Sequence, residues 1–431
     1  MFRTVQTFAV LALLCASALF LAGCSKKTAS DGGTSTNAAA SGKVGSVENF
    51  ATAAVSFSAL EKNGSMSLRY ATQFCVDYYA LRDVVASAGA TGAAGADGTR
   101  SSGSEIRASA GATYALVRIA DSDSFLLVPE GAPIPVDVPR DITPLQLPLK
   151  NVYLVATSAM DLINECGALE QIAFSGTKAK DWSVPEAAAA MNAGKITYAG
   201  KYSAPDYELL TAGGCELAIE STMIFHKPEV KEKLEELGIP VLVEYSSYEP
   251  HPLGRLEWIK LYGVLFGKAA AEQYYESEYA RIEPIMRKEP VGKSVAFFYV
   301  NSNGAVNVRK PNDYIVKIIE LAGGKYALSE LLVEEENALS TMNMMMEDFY
   351  VSCVDADILV YNGTIDQAFS SIDDLFAKSE LFRDFAAVKS GEVYFVSKDF
   401  YQQTTGIANF IEDLNKVLNG EYSNLIYLTK L

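Results

Sequence analysis

The sequence predicts an α/β protein of two lobes joined by one long helix, preceded by a small β-rich module. Two observations carry this. Short apolar strands alternate with helical stretches on both sides of residues 252–288. Between them, Trp258, Leu261, Tyr262, Leu265, Phe266 and Ala269 follow the i, i+3, i+4, i+7 spacing of one helical face. Short buried strands separated by helices imply a parallel sheet covered on its faces.

The 431 residues, 49% hydrophobic, suffice for two or three domains with sizeable cores. A net charge of −17 argues against nucleic acid as a partner, because phosphate binding requires a basic footprint.

Residues 1–23 read as a lipoprotein signal peptide. Arg3 supplies the positive start, and Phe8 to Phe20 is an apolar run too short to span a bilayer. Leu21-Ala22-Gly23-Cys24 has the form of a lipobox, which makes Cys24 the lipidated residue of an extracytoplasmic, membrane-anchored protein. Residues 24–62, rich in Ser, Ala and Gly, form a solvated tether. Cys75, Cys166, Cys215 and Cys353 are widely and irregularly spaced, indicating neither a zinc site nor a redox motif. One or two disulfides, or buried free thiols, both fit.

Residues 63–148 form the accessory β module. Phe74–Tyr79, Tyr114–Ile119 and Phe125–Pro129 read as strands, separated by a Gly/Ala/Ser-rich loop at 86–112. Six prolines from Pro129 to Pro148 then interrupt regular structure.

The N-terminal lobe, 149–251, begins with a buried strand at Val152–Ala156 and a helix through Met160–Cys166. A strand at Glu216–Ile219, a helix at Glu229–Leu237 and a strand at Pro240–Val243 follow. The connecting helix, 252–288, starts at Pro252 and stops near Pro284. The C-terminal lobe, 289–431, repeats the pattern. Strands at Val295–Val300, Asp357–Tyr361 and Val393–Val396 alternate with helices at Asp313–Ala322 and Ile407–Leu418. A weak internal repeat pairs Glu208-Leu-Leu before Glu216 with Glu347-Asp-Phe-Tyr before Asp355.

From Asn151 onward the chain resembles the substrate-binding lipoproteins of ABC importers for iron complexes and corrinoids. The resemblance rests on Gly200-Lys-Tyr with Pro205-Asp-Tyr-Glu208-Leu-Leu, then Lys233-Leu-Glu-Glu-Leu-Gly-Ile-Pro-Val and the connecting helix. Leu321-Ala-Gly-Gly-Lys, the Glu347 helix and Phe385-Ala-Ala-Val-Lys-Ser-Gly-Glu-Val-Tyr complete it. It implies doubly wound lobes, a ligand held between them and a small hinge motion. It also implies that Glu208 and Glu347 dock on arginines of a membrane permease, which works with an ATPase. The alternative for both glutamates is a favourable charge at a helix N-terminus. The β module lies outside the family core.

The transported ligand is then an iron chelate, haem or corrinoid, with no permanent cofactor. The chain has two histidines, too few for a bare-metal site. His251 either ligates an iron or cobalt centre or bonds backbone at the helix start. Met344, with Met342, Met345 and Met346, suits a flat macrocycle or fills core. Trp182, Tyr202, Tyr248, Tyr299, Tyr361 and Tyr401 are strand-end aromatics expected at the cleft. No arginine cluster falls at the expected loop ends, which favours a neutral or macrocyclic ligand.

Catalytic signatures are missing. Gly292-Lys-Ser resembles the end of a phosphate loop, but Arg287 stands where the first glycine is required. The expectation is a binding protein, not an enzyme. The alternatives are a chelatase-like enzyme on the same fold, or an adhesive surface lipoprotein with a shallow polar cleft.

Overall fold

The computed structural model describes residues 55–82, 113–120, 122–331, 340–365 and 369–431. All of these lie in one compact unit, Thr52–Leu431. The signal segment, Cys24 and the 86–112 loop lie outside the described residues.

Alternating apolar residues build a five-stranded N-terminal sheet in sequential order: β1 (Leu60–Ser65), β2 (Phe74–Leu81), β3 (Thr113–Ile119), β4 (Asp123–Val128) and β5 (Thr143–Gln146). The first four are antiparallel, and β5 runs parallel to β4. Strand periodicity divides the side chains between two faces. Ala115, Val117, Ile119, Phe125 and Leu127 enter the core of the next lobe, whereas Tyr114, Leu126 and Val128 pack with Leu60 and Ala132. The module is thereby fused to its neighbour through a shared core.

The N-terminal lobe follows as β6 (Val152–Leu154), α1 (Thr157–Glu165), β7 (Ile172–Ser175), α2 (Pro185–Asn192) and β8 (Thr197–Tyr198). The β9 (Gly200–Lys201) and β10 (Ala204–Pro205) hairpin, α3 (Tyr207–Ala212), β11 (Ala218–Ser221), α4 (Pro228–Glu236) and β12 (Val241–Glu244) complete it. The sheet order is β12-β11-β6-β7-β8, with every pair parallel. Helix α1 covers one face through Met160, Leu162 and Ile163, and α4 covers the other through Val230 and Leu234. This is a doubly wound sheet whose strand order reverses between β6 and β11. Gly200 shapes the hairpin: it has φ +88°, and a Cβ there would meet Ala204 O at 2.3 Å.

The 252–288 connector is not one helix. It comprises α5 (Pro252–Leu265) and α6 (Ala270–Met286). Gly267, at φ +66°, ends α5 with a Schellman arrangement. Lys268 N donates to Gly263 O (2.7 Å) and Gly267 N to Val264 O (3.4 Å). Helix α6 then turns back along α5, with Lys260 Nζ 3.4 Å from Glu272 and 3.5 Å from Glu276. Gly263 allows this approach, since a Cβ there would lie 2.6 Å from the Ala271 Cβ. Nor does Pro284 stop α6, which continues through it to Met286. Leu253 and Ile282 belong to the C-terminal core, while Leu256, Trp258, Ala271 and Tyr275 belong to the N-terminal one. Both helices therefore straddle the lobes, and α6 carries the chain from one core into the other.

The C-terminal lobe comprises β13 (Ser294–Val300), β14 (Val306–Arg309), α7 (Tyr314–Leu321), β15 (Lys325–Tyr326), β16 (Thr341–Met344) and α8 (Met346–Cys353). It continues with β17 (Ile358–Tyr361), α9 (Ile372–Lys378), α10 (Ala386–Ser390), β18 (Val393–Val396), α11 (Ile407–Leu418) and β19 (Leu428–Lys430). Its seven-stranded sheet has the order β16-β14-β13-β17-β18-β19, with β15 beside β13. The central β13, β17 and β18 are parallel, and β14, β16 and β19 add antiparallel edges. All four described cysteines are free thiols, with Cys75 exposed and the others buried.

Candidate ligand cleft

A cavity of about 410 Å³ opens between the lobes at the carboxyl ends of the N-terminal strands. Four of its strands deliver polar residues to it as they end: Thr157 and Ser158 after β6, Thr177 after β7, Ser221 at the end of β11 with Thr222 after it, and Ser246 and Ser247 after β12. Lys201 and Tyr202 come from the β9–β10 hairpin and Arg255 from α5. The C-terminal lobe supplies Tyr314, Phe400, Tyr401, Thr404 and Ile407. The cavity sits where the strand order reverses, the position at which open α/β sheets bind ligands. A second hollow of about 450 Å³ lies between the β4 region and the amino end of β12, away from the reversal point.

Two charged groups shape the cavity. Glu244 is buried and accepts from Ser158 Oγ (2.8 Å) and Ser246 N (3.0 Å). Burial pushes its carboxyl above the usual range. Arg255 donates through Nε to Glu249 O (3.3 Å) and through a terminal nitrogen to Ser247 O. Its guanidinium carbon lies 3.5 Å from the Tyr314 ring centroid. Burial lowers its pKa from the ordinary arginine value.

One side of the cavity is closed by hydrogen bonds between lobes. Ser183 N donates to Gln402 Oε1 (2.7 Å), Gln402 Nε2 to Asp181 O (2.9 Å) and Gln403 Nε2 to Ser183 O (2.9 Å). Thr404 Oγ1 donates to Ser158 O (2.9 Å), and Thr405 gives both N (2.7 Å) and Oγ1 (2.6 Å) to Asp161 Oδ2.

Of the aromatics expected at the cleft, Tyr202 and Tyr401 line the cavity, one from each lobe. Trp182 instead lies in the N-terminal core, its Nε1 donating to Ser175 Oγ (3.2 Å). Tyr248 is exposed outside the lining, near Tyr245. Tyr299 packs half-buried against the C-terminal core, and Tyr361 is fully buried there, its hydroxyl accepting from Val300 N (3.2 Å). Met344 pairs with Val306 and Met342 with Val308 on the edge strand β16, while Met345 and Met346 lead into α8. His251 caps α5: Nδ1 accepts from Leu253 N (3.2 Å), and the ring stacks on Tyr70 at 4.0 Å. Burial pushes its pKa down to about 4, and it is outside the lining. The capping alternative thus accounts for its geometry.

Glu208 and Glu347 are exposed in the first turns of α3 and α8, one on each lobe. Among the described residues, no group of three or more His, Cys, Asp or Glu is placed to hold a metal ion. No described helix is long and apolar enough to cross a membrane.

Sequence reasoning missed Arg255, Glu244 and the hydroxyl residues. A signal was present: Thr157-Ser158, Ser221-Thr222 and Ser246-Ser247 each follow a buried strand closely.

No protein-family profile matches the chain. It is similar to two uncharacterized lipoproteins of Methanocaldococcus jannaschii. One is 24% identical over 302 residues, spanning 66% of this chain and 69% of the relative. The other is 24% identical over 331 residues, spanning 72% and 79%. Among solved structures, it resembles a periplasmic binding protein from Veillonella parvula, with TM-score 0.50, 16% identity and coverage of 64% and 92%. It also resembles a periplasmic heme-binding protein of Vibrio cholerae, with TM-score 0.51, 18% identity and coverage of 62% and 98%. The chain has the two-lobed periplasmic binding protein fold.

Proposed function

We propose that this chain is the extracytoplasmic solute-binding component of an ABC importer, which captures an iron chelate, haem or corrinoid and delivers it to a membrane permease. The observation that carries this reading is the interlobe cavity, formed by the carboxyl ends of one sheet and closed by Tyr314, Tyr401 and Thr404 of the other lobe. Such a cleft suits reversible enclosure of a solute, since small relative motion of the lobes opens and closes it. The likeness to lipoproteins and to periplasmic binding proteins supports the same reading. Cys24 is its lipid anchor, while Glu208 and Glu347 are its permease contacts, one on each lobe. Tyr202 and Tyr401 face the solute from opposite sides.

The reading is one of binding rather than catalysis. Neither histidine of the chain lines the cavity, and Glu244 and Arg255 are engaged there by hydroxyl and backbone groups. The test is purification from native membranes, followed by absorption spectroscopy and mass analysis of the released solute. Haem, cobalamin and ferric siderophores are then titrated against the emptied protein. A solute of this class, bound at one to one, is the expected result. No chromophore and no binding by any of the three overturns it.

A further inference from the structure

Arg255 is the one arginine on the cavity lining, and its environment is unusual for a cation. Among the described residues, no carboxylate forms an ion pair with it; its partners are the carbonyls of Ser247 and Glu249 and the Tyr314 ring. The nearby acids are otherwise engaged. Glu249 accepts from Thr72 N, Gln73 N and Trp258 Nε1, and Glu244 from Ser158 and Ser246. Asp313 accepts from Ile315 N (2.9 Å) and lies 3.6 Å from Arg309. A guanidinium held rigidly by carbonyls and an aromatic face, yet left without a counter-charge, is organised for an anion that arrives from outside. Its planar fork matches a pair of adjacent oxygens. Lys201, exposed on the hairpin at the same cavity, adds a second positive charge.

Resting on the reading of the cavity as a solute cleft, we propose that Arg255 is the anion-recognition residue, so that the solute presents a carboxylate- or catecholate-type oxygen pair. The expectation of a neutral ligand, drawn from the absence of an arginine cluster in sequence, is replaced by one pre-positioned guanidinium. The hydroxyls of Ser221, Thr222 and Ser246 supply further donors to the same oxygens.

The experiment is calorimetric titration of the emptied protein with ferric citrate, a ferric tris-catecholate, haem with its propionates, and neutral cyanocobalamin. Each is measured at about 50 and 500 mM salt, conditions that bracket strong and weak screening. The expected result is tightest binding to an anionic probe, weakened by salt. Arg255→Gln weakens that probe by about 10-fold to 100-fold, as loss of a charge-assisted pair does. Arg255→Lys recovers part of the loss, and Lys201→Gln weakens it less. The wild-type salt response tests the proposal even if Arg255→Gln does not fold. Salt-independent binding of cobalamin alone overturns the anion assignment and leaves the transport reading intact, as does unchanged anionic binding by folded Arg255→Gln. Binding of no probe overturns both.

Discussion

Trp258 donates its indole N–H to Glu249 Oε1 at 2.9 Å, and both residues are buried. The same carboxylate accepts from the backbone of Thr72 and Gln73. Immediately before Trp258 on α5, Glu257 takes the N–H groups of Arg69, Tyr70 and Ala71, and Lys260 lies 3.1 Å from it. Two buried carboxylates thus fasten the N-terminal sheet to the helix that leads between the lobes.

Removing Glu257 leaves those N–H groups without their acceptor and Lys260, 3% exposed, without its innermost partner. Glu257→Ala is expected to cost about 3–5 kcal/mol, in the range for breaking a buried pair. Glu257→Gln, which keeps an acceptor oxygen, costs less. Urea denaturation of each variant checks the order.

Glu220 on β11 is 0% exposed, neither carboxyl oxygen has a hydrogen-bond partner, and burial raises its pKa from 4.5 to about 8. The folded chain therefore holds this proton more tightly than the unfolded chain. Its contribution to stability is fully present below pH 4.5 and is lost as pH rises through about 8. The slope approaches about 1.4 kcal/mol per pH unit within that window. Thermal melts from pH 4 to 9 should show a fall in wild type that Glu220→Gln flattens; parallel curves would refute the assignment.

His251 carries the opposite sign. Its folded pKa lies below the ordinary 6.5, at about 4, so its stabilising contribution is present above 6.5 and lost as pH falls through 4. An NMR titration of its ring should give a midpoint near 4. His251→Ala removes the cap of α5 and costs about 1 kcal/mol, whereas solute affinity changes little. A large loss of affinity in this variant would return His251 to the solute site.

The interlobe hydrogen bonds of Gln402 and Gln403 are expected to hold the cleft partly assembled before the solute arrives. The double variant Gln402→Ala, Gln403→Ala should weaken solute binding by about 3-fold to 10-fold through lost preorganisation. Backbone exchange should rise in residues 181–183 and 402–405. Unchanged exchange would show that the bonds do not restrain the lobes.

Reversing charge at both Glu208 and Glu347 should abolish uptake into cells while leaving solute affinity intact, because both side chains are exposed and neither lines the cavity. Reduced affinity would place them in solute binding instead of docking.

The strand and helix alternation was legible because a buried strand announces itself as a short apolar run, as at Val152–Leu154 and Val393–Val396. Tyr361 shows the limit of that reading. Its place at the end of β17 is visible in the sequence, but whether it faces cleft or core depends on what packs against it, here Phe298 and Phe369. Met344 is similar, since its edge strand exists only by pairing with β14.

By itself, the sequence determined the two-lobe α/β plan and the N-terminal β module, because these follow from local apolar periodicity. Only the tertiary structure decided that the connector divides at Gly267, that His251 is a cap, and that Arg255 reaches the cavity with no carboxylate ion pair among the described residues. The last two depend on partners far along the chain, Tyr70 against His251 and Tyr314 beneath Arg255, and the first on how α6 packs back on α5, Ala271 against Gly263. Periodicity fixes which side chains share a face; the packing of distant elements fixes what that face meets.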